Sequence, residues 1–117
     1  MDIIYYENPK GKIPVKEFID ESSPKDKNRI IKTIELLQEF GNELDRPYAA
    51  PIKNGINELR IKGIDNNLRI LFFYIVGNTA VLTHGFVKKT RSVPYKEIKR
   101  AEEYRKDFNN RREQNEI

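Results

Sequence analysis

The chain of 117 residues contains no cysteine, no tryptophan, one histidine and one methionine. Without cysteine there is no disulfide framework, no thiol nucleophile and no cysteine-ligated zinc. A lone histidine among scattered carboxylates has no metal-ligand spacing, so neither metal nor cofactor is expected. No Ser-His-Asp pattern or nucleophile elbow occurs, and "GKIPVK" lacks the glycines and the Ser/Thr of a phosphate loop. No apolar run approaches the roughly 18 residues of a membrane span, and the N-terminus has no signal-peptide pattern. The expectation is a cytoplasmic protein with no membrane partner. Repeats and low-complexity linkers are also absent. The length suits one domain, taken as residues 1–112, with a frayed tail at 113–117.

Charge is plentiful but unevenly placed. Residues 1–87 hold 12 Lys/Arg and 12 Asp/Glu, whereas residues 88–112 hold 10 Lys/Arg and 4 Asp/Glu. The basic excess therefore lies beyond the stretch "HGFV". A localised basic surface suits a polyanion or an acidic protein surface; a solvated lysine-rich helix is the plainer alternative.

Patterning predicts the elements. "DIIYY" is a short β-prone run that ends in the turn cluster "NPKG". "PVKEFIDES" opens a short helix at Pro14. The clearest helix follows, with Ser23 as N-cap, Pro24 in the first turn, Ile30, Ile34 and Leu37 at helical spacing, and Gly41 as C-cap. "NELDRPYAAPIKNG" has two prolines and an Asn-Gly, and is expected to be loop. The period then changes to two. In "INELRIKG", Leu59 and Ile61 point one way while Glu58, Arg60 and Lys62 point the other. "LRILFFYIV" is apolar enough for a central strand covered on both faces. "GN" at 77–78 marks a hairpin into "TAVLTHGFVKK". A last helix starts near Pro94, with Ile98, Ala101 and Phe108 on one side. The order β-α-α-β-β-β-α gives an α+β fold: a small twisted, mostly antiparallel sheet with helices packed on one face.

The alternation leaves a cationic strand face. Arg60 and Lys62 share it by parity. Arg69 is the only charge inside the central strand, and it is costly there unless it meets an anion, either a ligand or Glu58. His84, Phe86 and Lys88 share a face of the last strand, with Lys89 at its end. If the hairpins hold these faces together, the cations converge on a patch that suits a phosphate, whose charge grows in the transition state. A solvated strand face is the simpler reading of Arg60 and Lys62, and a hydrogen-bonded core position the simpler reading of His84. No aromatic platform of the RNA-recognition type is visible.

"ELRIKG", "LRILFFYIVGN", "HGFVKKT" and "PYKEIKRAEEY", in that order, resemble the HigB-type, phage-derived branch of the RelE toxin superfamily. The likeness runs over about residues 2–108. It implies a toxin of a type II toxin–antitoxin pair: an mRNA endonuclease, usually ribosome-dependent, that needs no metal. It further implies a cognate antitoxin, a helix-turn-helix protein, as partner. Carried onto this sequence, the catalytic set is Arg60, Lys62, Arg69, Lys89 and Tyr95, and Lys88, His84 and Arg91 are RNA-contacting candidates. Arginine does not practically deprotonate, so the base falls to Lys62, Lys88, Lys89, His84 or Tyr95, with Lys62 first. The alternatives are a toxin of the same fold directed at a target such as DNA gyrase, or a nucleic-acid-binding module without catalysis.

Overall fold

The computed structural model describes residues 1–114. Its elements run β1 (Asp2–Tyr5), α1 (Pro14–Glu21), α2 (Pro24–Phe40), a 3-10 turn (Gly41–Glu43), β2 (Ala49–Lys53), β3 (Ile56–Lys62), β4 (Asn67–Ile75), β5 (Thr79–Lys88) and α3 (Tyr95–Glu113). The strands form one sheet in the order β1-β5-β4-β3-β2, antiparallel except for β1 against β5. The fold class is α+β, as the sequence predicts.

The helix signals operate as expected. The Asp26 amide donates to the Ser23 hydroxyl, and Pro24 occupies the first turn. The Gly41 amide donates to the Leu37 carbonyl at the other end. Ile30, Ile34 and Leu37 are buried against the sheet.

The expectation of loop over residues 42–55 needs correction. Residues 49–53 form a fifth strand, joined to β3 by a hairpin in which Asn54 and Gly55 both have positive φ, as a tight primed turn requires. The prolines mislead because β2 is an edge strand. Pro51 is exposed there, and an edge strand tolerates a residue with no N–H.

The helices are also not all on one face, which is the second correction. One core packs α1 and α2 onto Leu59, Ile61, Leu68, Ile70, Phe72 and Leu82. A second core packs α3, through Ala101 and Phe108, onto Ile56, Leu71, Phe73 and Val81. β4 is therefore buried from both sides, which explains its unbroken apolar run. Only the face parity, not the period, separates Leu71 and Phe73 from Phe72.

β5 changes parity once. Leu71 pairs with His84 and Phe72 with Leu82, so Thr83 is the extra residue of a bulge. The bulge turns both Val81 and His84 toward α3 and leaves Gly85 facing α1. There a Cβ on Gly85 would stand 2.2 Å from the Phe18 ring, so only glycine lets α1 sit this close.

α3 continues through Glu113, further than the sequence suggests. Its end is tied down: Arg111 bonds Asp107 and the Glu7 carbonyl, and the Tyr6 hydroxyl donates to Asp107 at 2.6 Å. The frayed-tail expectation thus gives way to helix at Glu113, and residues 115–117 lie outside the described residues.

Candidate functional site

The sheet register places the candidate residues on a grid. On the α3 side of β3, β4 and β5, three rows cross the strands: Glu58–Leu71–His84, then Arg60–Arg69–Phe86, then Lys62–Asn67–Lys88. Neighbours within a row are about 5 Å apart, and successive rows about 7 Å. α3 covers the first row. The second and third rows are the floor of two clefts.

One cleft, of about 430 Å³, is lined by Lys53, Glu58, Arg60, Lys88, Arg91 and Ser92, among others. The other, of about 370 Å³, is lined by Pro47, Tyr48, Arg60, Ile61, Lys62, Asn67 and Arg69. Arg60 belongs to both and stands on the ridge between them. Of the catalytic candidates, Arg60, Lys62 and Arg69 are therefore brought together. Lys88 and Arg91 join them from β5 and the segment after it.

Lys89 and Tyr95 line neither cleft. Lys89 is exposed one residue beyond Lys88, on the opposite parity, and Tyr95 is 68% exposed at the start of α3. α3 begins without a side-chain cap at Pro94.

The cations are not an unneutralised cluster, and of the two anions open to Arg69 the structure supplies Glu58. Arg60 and Arg69 are direct cross-strand neighbours, which by itself is unfavourable for like charges. Glu58 offsets it from the adjacent row. Its Oε1 lies 2.8 Å from Arg69 Nε and accepts from Arg60 Nε at 3.2 Å. The Arg69 Nε–H contact is an ion pair without hydrogen-bond alignment, while Arg69 Nη1 donates to the Leu68 carbonyl at 2.9 Å. The anion that Arg69 requires is thus built in. Arg69 is fixed and buried, and Arg60, with its side chain 35% exposed, presents the charge. Glu58 is the cleft residue that the sequence offers only as a possible partner of Arg69. Its signal was available, since parity puts it on the face of Arg60.

His84 is corrected from RNA contact to core. It is 1% exposed and has no surface to offer a ligand. Nδ1 lies 3.0 Å from the Thr83 hydroxyl, which donates to the Leu71 carbonyl, and Nε2 lies 3.2 Å from Glu97 Oε1. The ring stacks on Phe86 and meets the edge of Tyr104. Burial, with Arg100 nearby, pushes its pKa down to about 3, and the Glu97 carboxylate at 3.2 Å opposes that shift. A base buried neutral makes folding pH-dependent in a stated direction. Between about pH 6.5 and 3 the unfolded chain binds the proton and the folded one does not, so stability falls as pH falls. His84→Gln should lower stability at pH 7 by roughly 1–3 kcal/mol, through lost packing and a strained hydrogen-bond pair. It should also remove a slope of up to about 1.4 kcal/mol per pH unit between pH 6 and 4.5. Urea melts of both proteins across that range check this; parallel slopes would refute a neutral buried His84.

No group of His, Cys, Asp and Glu among the described residues has the geometry of a metal site, and no described helix is long and apolar enough to cross a membrane. A family model described as "Phage derived protein Gp49-like (DUF891)" matches residues 17–106, which include every cleft-lining residue named above. No curated protein matches the chain.

Proposed function

The chain belongs to the Gp49-like family of phage-derived proteins, a family associated with RelE/ParE-like toxins, and from that premise we propose that it is the toxin of a toxin–antitoxin pair that cleaves messenger RNA, at the ribosome and without a metal. The observation that carries this reading is Arg60 on the ridge between two clefts, backed by a buried Glu58–Arg69 pair and flanked by Lys62 and Lys88. Such a site holds a phosphodiester from one side and leaves room for nucleotides on both.

The chemistry that suits these side chains uses the RNA's own 2′-hydroxyl. Its oxygen forms a bond to the adjacent phosphorus as the bond from phosphorus to the 5′-oxygen breaks. The proton leaves the 2′-oxygen for a side-chain base, and a proton is returned to the departing 5′-oxygen. Products are a 2′,3′-cyclic phosphate and a 5′-hydroxyl. Arg60 holds the phosphoryl oxygens as negative charge grows on them, the step at which fixed donors contribute most. Arg69 acts from beneath, by orienting Glu58 and through it Arg60. Lys62 and Lys88, on either side of Asn67 in the third row, are the groups placed to handle protons, with Lys62 assigned as base. The basic surface of α3 and the segment before it suits an antitoxin with an acidic contact face. Action on messages would place the protein in the cytoplasm.

The test is end-group analysis of messages cut on translating ribosomes. Fragments ending in a 2′,3′-cyclic phosphate and starting with a 5′-hydroxyl are expected; 5′-phosphate ends would mark hydrolysis by water and overturn the mechanism. RNA binding without fragments would return the protein to a binding module.

A further inference from the structure

The row that contains Arg60 and Arg69 extends beyond the two strands that carry them. Ala49 pairs with Leu59, and the Arg60 amide donates to the Tyr48 carbonyl at 2.8 Å, which carries the β2–β3 register one residue further. Tyr48 therefore lies opposite Arg60, on the same face, and the full row is Tyr48–Arg60–Arg69–Phe86. An aromatic ring ends the row on each side of the paired arginines. Phe86 is partly buried and committed to His84. Tyr48 is 45% exposed and, with exposed Pro47, forms a wall of the 370 Å³ cleft whose other sides are Arg60, Lys62, Asn67 and Arg69.

That cleft combines what a nucleotide needs. Its cations sit at one end for the phosphate. Its flat apolar surface stands one strand spacing away, about 5 Å, close to the offset between a phosphate and the base attached to it. An amide, Asn67, is placed to donate to and accept from a base edge. An aliphatic ligand would make no use of an exposed tyrosine next to three cations, whereas a nucleobase stacks on such a ring whatever its identity.

Resting on the ribonuclease reading above, we propose that Tyr48 is the stacking platform for the base adjacent to the scissile phosphate, with Pro47 as its shoulder and Asn67 at the base edge. The subsite serves single-stranded RNA, because only an unpaired base can turn its face to the ring. Tyr48 is a positioning residue: it touches the base, not the reacting atoms. It tethers the nucleotide so that the phosphate settles on Arg60.

The experiment measures cutting of a defined message on translating ribosomes by the full chain and by Tyr48→Phe, Tyr48→Trp and Tyr48→Ala, over a range of protein concentration. The aromatic variants should cut like the parent. Tyr48→Ala should need on the order of tenfold more protein for half-maximal cutting, with the maximal rate changed far less. The message is then made with an abasic nucleotide at each position around the cut in turn. At one position, immediately next to the cut, removing the base should cost the parent protein as much as Tyr48→Ala does and should cost Tyr48→Ala nothing more. A Tyr48→Ala protein that cuts like the parent overturns the subsite while leaving the ribonuclease reading intact. Losses that add at every abasic position also overturn it, and mark Tyr48 as a contact to the ribosome instead. If the parent protein cuts no message, the ribonuclease reading fails and takes the subsite with it.

Discussion

Arg60→Ala combined with Lys88→Ala should abolish message cutting and growth inhibition while the protein still folds. Arg60 is the exposed member of the arginine pair, and Lys88 faces the same 430 Å³ cleft from β5. Removing Arg60 does not orphan Glu58, because Arg69 remains 2.8 Å from the same oxygen. The fold therefore loses a partly exposed pair, which is worth about 1 kcal/mol or less. The reaction loses donors aimed at the charge that develops on the phosphoryl oxygens. One such donor typically contributes about 2.7–4 kcal/mol, a hundredfold to a thousandfold in rate. The loss should fall on the maximal rate more than on half-saturation, since the interaction strengthens toward the transition state. A graded comparison tests the register as well: Lys88→Ala should cost more than Lys89→Ala, because only Lys88 lines the cleft. Unaltered toxicity of the Arg60→Ala, Lys88→Ala protein would remove the site from the proposed function.

Arg69→Ala should behave differently, as a folding lesion first. The side chains of Arg69 and Glu58 are 11% and 8% exposed. Taking away the arginine leaves a buried carboxylate with only the partly exposed Arg60 at 3.2 Å. Breaking a buried pair from one side costs about 3–5 kcal/mol, because the remaining charge keeps its desolvation penalty and loses its partner. For a chain of this size that is a fall in Tm of about 12–20 °C. Loss of toxicity in this single variant therefore says little about catalysis. The informative protein is Glu58→Gln with Arg69→Met, which removes both charges and should recover most of the stability. If it melts near the parent protein yet cuts messages far more slowly, the buried pair matters through its hold on Arg60. A double variant that remains as unstable as Arg69→Ala would show that the ion pair is not what stabilises this corner of the sheet.

Much of the molecule is written in local pattern. The caps at Ser23 and Gly41 and the helical spacing of Ile30, Ile34 and Leu37 define α2 by themselves. The alternation in "INELRIKG" separates Leu59 and Ile61 from Glu58, Arg60 and Lys62, and the structure keeps that separation. The apolar length of β4 announces burial on both faces. These features need only the periods of helix and strand and the chemistry of chain ends, which act within a few residues. They suffice for the α+β class and for the cationic strand face.

Register and layer order do not follow from local pattern. β2 is hidden by Pro51, which an edge position tolerates but which no sequence window marks as an edge. The placement of α3 opposite α1 and α2 depends on which side of the sheet the chain crosses after β5, a choice with no local signature. The extra residue at Thr83 turns His84 into the α3 core rather than onto the α1 side with Leu82. The same ladders bring Glu58 onto two arginines and Tyr48 opposite Arg60, contacts between strands whose order is set only when both cores close. The sequence by itself determined which side chains share a strand face, because the pleat alternates every residue. Which of those faces meet, which cation is neutralised from within and which remains open were decided by tertiary structure, because pairing across strands depends on burying both apolar faces of one sheet at once.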